Sequence, residues 1–173
     1  MAAHKELCKT HPDLLLIISP NTPERGTAVV QHIADAGIKY TRRSRGDLPS
    51  KSAYLADRLG DLGNWYALTD IVFLGGSLRP IGGQNPFDVA QSGATVLSGN
   101  HIFNFAETFS AMEAAGAARI VSDKADMVAQ IDILLRDTAS REKAVKAAHA
   151  FATQEVEKLD TIAPRLIKAL RLA

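Results

Sequence analysis

The chain has one cysteine, Cys8, in 173 residues, so no disulfide can form within it, and the usage fits a reducing compartment. It has no long apolar run either. The longest, Leu14 to Ile18, falls far below the roughly 20 residues that a membrane-spanning helix needs. No basic-apolar-small pattern marks a secretory signal at the N-terminus, and these absences together predict a cytoplasmic protein. Net charge is almost missing: the formal value of +1 argues against a general nucleic-acid binder. Neither GxGxxG nor GKS/T follows an apolar run, which excludes the dinucleotide fingerprint and the P-loop. Internal repeats and low-complexity tracts are lacking as well.

What is present is ordinary globular material. Hydrophobic residues make up 46% and charged residues 23%, enough apolar surface for a core, and the length suits one domain spanning residues 1–173. The run DLLLIISP, closed by Pro20, reads as a strand buried on both faces. Behind it, Thr22 as cap, Pro23 in the first turn, Val29, Val30, Ile33 and Ala34 at helical spacing, and Gly37 as the stop predict a helix. The alternation continues. Strands are expected in IKYTRR, SAYLAD, DIVFLG, ATVLSG and AARIVS, and helices in LGDLGNWYALT, PFDVAQSG, FAETFSAMEAAG, DMVAQIDILLRD and REKAVKAAHAFATQEVEKL. Such alternation predicts a Rossmann-like α/β fold, a parallel sheet with helices on both faces, whose ligands sit outside the carboxyl ends of the strands.

The segment from Gly75 to Asp88, GGSLRPIGGQNPFD, leaves one of those strands. Gly75 and Gly76 at the strand end and Gly82 and Gly83 before the next helix allow close approach of a ligand to the backbone. Pro86 suits a first helical position with Asn85 as cap, so free N–H groups there would hold a phosphate or carboxylate. Asp88, in the first turn, is placed to accept hydrogen bonds from sugar hydroxyls. The competing reading is a tight crossover loop built from glycine and proline for its own sake.

The stretch from Leu55 to Phe105, with GGSL-x-P-x-GGQNP and GNHIFNF, together with SPNTPERG, resembles the C-terminal domain of the bacterial Kdo transferases. These move 3-deoxy-D-manno-oct-2-ulosonic acid (Kdo) from CMP-Kdo onto lipid A precursors. The resemblance runs from about His4 through the last helices. It implies one half of a two-domain GT-B architecture, the donor-binding half, acting without metal or other cofactor and with CMP-Kdo as substrate. The acceptor surface, the membrane-associating face and the general base belong to the family's N-terminal domain. No catalytic residue is therefore expected here, and the lipid A precursor would be met only through that other domain, at the cytoplasmic face of the inner membrane. Alone, the chain is expected not to turn over.

The resemblance also implies the donor contacts. A Pro-Arg pair corresponds to Pro20 and Asn21, so the arginine is replaced; a hydrophobic-Gly-Glu turn corresponds to Leu59, Gly60 and Asp61; and Asn-Pro-x-Glu corresponds to Asn85, Pro86, Phe87 and Asp88. Gly76, Gly82 and Gly83 would cradle the donor, and Ser77 would offer a hydroxyl. Thr22, Arg58 and Asn100 also depart from the family pattern. Each lost charge-assisted hydrogen bond removes about 1.5–3 kcal/mol, which predicts weakened CMP binding unless the backbone moves closer. Two other readings stand: a non-catalytic CMP- or sugar-binding module, and the donor domain of a different GT-B enzyme using a UDP-sugar.

Among the remaining residues, Arg42, Arg43 and Arg45 are expected on a solvated turn, with phosphate or anionic lipid as the alternative. Trp65 and Tyr66 are expected to pack in the core. His101, at the carboxyl end of a strand, either faces the donor or serves capping and loop packing; Phe103 and Phe105 are candidate loop anchors, and Asn104 a candidate helix cap. The stripe Leu159, Ile162, Leu166, Ile167 and Leu170 predicts packing of the last helix against the core or another domain.

Overall fold

The computed structural model describes residues 1–170, apart from some side chains near the end of the last helix, among which Leu159, Leu166 and Leu170 of the expected stripe fall. Ile162 and Ile167 of that stripe are exposed. Six strands form in the expected places: β1 (Leu16–Ile18), β2 (Tyr40–Arg42), β3 (Ala53–Leu55), β4 (Ile71–Leu74), β5 (Thr95–Gly99) and β6 (Ala118–Val121). Every pairing is parallel, as βαβ alternation requires. They form two three-stranded sheets rather than one, in the orders β1-β3-β2 and β4-β5-β6.

The helices are α1 (Ala2–Leu7), α2 (Gly26–Asp35), α3 (Leu62–Tyr66), α4 (Phe87–Gln91), α5 (Ala106–Ala114), α6 (Lys124–Arg136) and α7 (Thr138–Leu170). The first has no counterpart in the sequence reading. Six residues without a side-chain cap give too little periodicity to detect, although Ala3, His4 and Leu7 are buried. Before α2, Thr22 makes no capping bond, and Pro23–Arg25 form a single 3-10 turn. Gly37 ends the helix at φ 66, a left-handed stop that glycine adopts freely. The start of α6 is capped as helix starts should be, the Asp126 N–H donating to Asp123 Oδ1 at 2.9 Å.

Period-two alternation sorts the second sheet onto two helical layers. Leu74 and Val96 face α4, α5 and α7 through Val89, Phe109, Met112 and Ala148. Leu97 and Val121, with Ile71 and Phe73 beside them, face Leu134 of α6 and Ala144 of α7. Helices therefore cover both faces. In the first sheet β3 is central and wholly buried, whereas β1 is half-buried at every residue and pairs on one side only. That corrects the expectation of a strand enclosed on both faces: β1 is an edge.

Candidate functional site

The segments singled out in sequence emerge at the carboxyl ends of the parallel strands. Pro20 and Asn21 follow β1, Leu59 to Asp61 follow β3, and the Gly75–Asp88 loop follows β4. Open α/β sheets place their ligands at this end, outside the carboxyl ends of the strands.

Much of the Gly75–Asp88 loop serves internal packing. Ser77 is fully buried: its hydroxyl donates to the Leu74 carbonyl at 2.7 Å and accepts the Gly99 N–H at 2.8 Å, fastening the ends of β4 and β5. With donor and acceptor both used, the hydroxyl is not presented to a ligand. Gly83 donates its N–H to the Gly76 carbonyl at 3.0 Å, and Gly82 accepts the Asn104 N–H at 3.2 Å. Gly76 has φ 73, and Gly82 and Gly83 have φ 109 and 77. A side chain on Gly82 would collide with the Asn104 amide and would stand 2.9 Å from the Phe103 ring. Gly82 and Gly83 admit a neighbouring loop, residues 100–105, so close approach there is real but its partner is protein.

The helix α4 is only five residues long, and its Phe87 N–H already donates to Asn85 Oδ1 at 3.0 Å. The cap position is taken by Pro86, which is buried, so Asn85 stands one residue ahead of the cap expected of it and Pro86 one residue short of the first helical position. The free amide expected at Phe87 is occupied, and Asp88 places a negative charge in the same turn, which opposes an anion there. The local chemistry favours a hydroxyl-rich group. Consistent with that, Asp88, Gln91 and Ser92 of this region and Leu62, Gly63 and Tyr66 of α3 line a shallow open cleft of about 360 Å³. Burial, and then the nearby Asp88 carboxylate, raise the Tyr66 phenol above its ordinary value, so Tyr66 stays a neutral hydrogen-bond donor.

Two ion pairs past the ends of β2 and β3 have no counterpart among the expectations. Arg43 Nε donates to Asp61 Oδ2 at 2.9 Å, and Arg42 Nε donates to Asp57 Oδ2 at 2.6 Å. Asp57 is buried and also accepts the Ser44 N–H at 3.0 Å and its hydroxyl at 2.9 Å. Burial alone would push its carboxyl upward, yet the Arg42 and Ser44 hydrogen bonds outweigh it and hold Asp57 below the usual carboxylate range. Two adjacent arginines, then, are not a solvated turn; they are clamped by two carboxylates four residues apart. The available signal was ADRLGD facing TRRS, but it becomes legible only once β2 and β3 are known to be neighbours.

Other expectations divide. Tyr66 packs against the core as expected, whereas Trp65 is half-buried outside it, resting on Tyr54 with ring centroids 5.2 Å apart and its indole N–H buried without an acceptor. His101 donates its backbone N–H to the Ser77 carbonyl at 2.9 Å, and Phe105 packs on the core, so both anchor the loop. Asn104 does not cap: α5 starts after Phe105 with no side-chain cap, and the Asn104 amide fills the space over Gly82. Leu59 and Gly60 are exposed, as are Asn21 and, partly, Pro20. Among the described residues no hydrogen bond or ion pair joins Pro20 or Asn21 to the cleft.

No protein-family model matches the chain. Similarity to known proteins is nevertheless extensive. The 3-deoxy-D-manno-octulosonic acid transferase of Haemophilus influenzae is 32% identical over 86% of this chain and 36% of its own length. That of Bordetella pertussis is 34% identical over 83% and 36%. Among solved structures, the C-terminal domain of a group 1 glycosyl transferase from Francisella tularensis shares the fold, with TM-score 0.62 at 16% identity, covering 89% of this chain and 75% of that one. The C-terminal CMP-Kdo binding domain of WaaA from Acinetobacter baumannii superposes with TM-score 0.79 at 30% identity, covering 87% of this chain and 79% of that one. Fold and site together define a Rossmann-like α/β domain of the GT-B glycosyltransferase kind. The chain spans about a third of the length of the curated relatives it matches. It belongs to the 3-deoxy-D-manno-octulosonic acid transferase family.

Proposed function

We propose that this chain is the donor-binding half of a Kdo transferase, holding CMP-Kdo while a separate N-terminal domain supplies the acceptor site and the base. The observation that carries the reading is the cleft between α3 and α4, where Tyr66 and Asp88 converge. A carboxylate with a neutral phenol beside it suits ribose or sugar hydroxyls, and Asp61 lies at the start of the same helix, α3. The nucleotide would lie across this cleft, with Leu59 and Gly60 as its rim and Asn21 offering an amide where arginine is expected. Transfer of Kdo to a lipid A precursor, at the cytoplasmic face of the inner membrane, would follow once both domains close over the donor. No metal or cofactor enters this scheme; substrate positioning and the missing base supply the chemistry.

A second reading, a binding module without catalysis, is favoured by one observation: Asn21 has no charge for a phosphate, and Asp61 is already engaged by Arg43. Titration calorimetry with CMP, CMP-Kdo and UDP separates the possibilities. Preference for CMP-Kdo over CMP and UDP supports the donor domain, preference for UDP assigns a different GT-B donor, and no binding to any of the three removes the nucleotide reading. Turnover on adding a relative's N-terminal domain distinguishes enzyme from module.

A further inference from the structure

We infer that Arg58, with Arg45 beside it, holds the phosphate of the sugar nucleotide and so supplies the charge that Asn21 lacks. The inference rests on the nucleotide reading and names the phosphate's partner within it.

Arginines gather past the carboxyl ends of β1, β2 and β3: Arg25, Arg42, Arg43, Arg45 and Arg58. Arg42 and Arg43 are spent, the first on Asp57 and the second on Asp61. Arg58 lies between those carboxylates in sequence, yet each already has its arginine. Asp47 is occupied too, accepting the Arg42 N–H at 3.0 Å. Glu24 stands next to Arg25 and offsets its charge locally, which leaves Arg25 out of the site. Among the described residues, Arg45 and Arg58 form no ion pair and no side-chain hydrogen bond, and both are exposed.

Backbone register puts Arg58 where a charge is wanted. Ile18 stands opposite Leu55, and β1 and β3 stay joined beyond that pair: the Ala56 N–H donates to the Ile18 carbonyl at 2.8 Å and the Ser19 hydroxyl to the Ala56 carbonyl at 3.3 Å. Continued along the chain, this register sets Asn21 level with Arg58. On the other side of β3 the Ser44 N–H and hydroxyl meet Asp57 at 3.0 and 2.9 Å, so Arg45 and Arg58, each the next residue, leave one junction. Gly26 seals that junction from α2, since a Cβ there would stand 3.1 Å from the Arg42 guanidinium and 3.3 Å from the Asp57 carboxylate. The floor is packed, and the unpaired guanidinium groups are exposed above it. A short turn, Leu59 to Asp61, joins Arg58 to Leu62 of the cleft, so hydroxyl and phosphate recognition fall on one segment.

The chemistry fits a phosphate. A guanidinium is always charged and its planar fork matches phosphate oxygens in pairs, whereas Asn21 offers a neutral amide. Like charges left unpaired in one place repel each other, and a bound anion offsets that cost. The sequence carries the same signature: both positions depart from the pattern of the resemblance, with arginine replaced at 21 and arginine standing at 58.

Titration calorimetry of the full 173-residue chain with CMP and with cytidine isolates the phosphate. The wild type should bind CMP about tenfold or more tighter than cytidine. Arg58→Gln should remove most of that difference while cytidine affinity and the melting temperature stay at their wild-type values; Arg45→Gln should remove a smaller part. Asn21→Arg added to Arg58→Gln should restore the preference, because the two positions are level. Equal affinity of the wild type for CMP and cytidine, with both bound, would overturn this inference and leave the nucleotide reading standing. So would an Arg58→Gln variant weakened equally toward both ligands, the mark of a structural role. Binding of neither ligand would remove the reading and the inference together.

Discussion

Arg43 and Asp61 are ion-paired at 2.9 Å across the ends of β2 and β3, so the carboxylate expected to meet the nucleotide is oriented by a guanidinium that the sequence placed in solvent. The pair is partly exposed, and its worth lies in aiming Asp61. Asp61→Asn should weaken CMP binding by about tenfold or more, because a hydrogen bond to a charged acceptor is lost. Arg43→Ala should weaken it less while leaving the melting temperature close to wild type. Calorimetry beside thermal unfolding reads both, and unchanged affinity in Asp61→Asn would remove this residue from the donor site.

The Arg42–Asp57 pair acts on stability. Asp57→Asn leaves the half-buried Arg42 without its counter-charge and should cost about 3 kcal/mol in urea unfolding. Its pH signature has a definite sign. The folded-state carboxyl lies below its ordinary value of 3.8, so its contribution is present above that pH and is lost as pH falls through the lower folded value. Acid unfolding of Asp57→Asn should therefore be shallower than that of wild type below about pH 4; parallel acid limbs would count against the assignment.

Ser77 serves β4 and β5 and presents nothing to the ligand. Ser77→Ala strands the buried Gly99 N–H and should cost about 1–3 kcal/mol, with CMP affinity unchanged at temperatures where the variant is folded. A stable variant with reduced affinity would return Ser77 to the site.

Two glycines in one loop should behave oppositely. At Gly82 a methyl would strike Asn104 at φ 109, whereas at Gly75 nothing lies within 4 Å and φ is not positive. Gly82→Ala should lower the melting temperature by several degrees and Gly75→Ala hardly at all; equal effects would mean that the packing of residues 100–105 is not what fixes this loop.

His4 supplies a second pH probe. Burial lowers its pKa below 6.5, chiefly against the Ser52 hydrogen bond, so the unfolded chain binds the extra proton first. Stability should fall as pH drops below about 6.5 toward the folded value and then level, and His4→Gln should flatten that slope.

By itself the sequence determined the parallel α/β class, the positions of all six strands and the loops that carry the site, because alternation of apolar runs with helix signals is a local property. It also marked Tyr66 and Phe105 as packing residues. What only the tertiary structure decided depends on which strands become neighbours. Pairing of β2 with β3 turned Arg42 and Arg43 from solvated charges into partners of Asp57 and Asp61, and packing of residues 100–105 turned the loop glycines from ligand approach into protein contact. The split into two sheets, with β1 and β4 left as apolar edges, likewise could not be read locally: a strand's own residues specify that it is buried, but which strand covers it is settled by contacts far away in the chain.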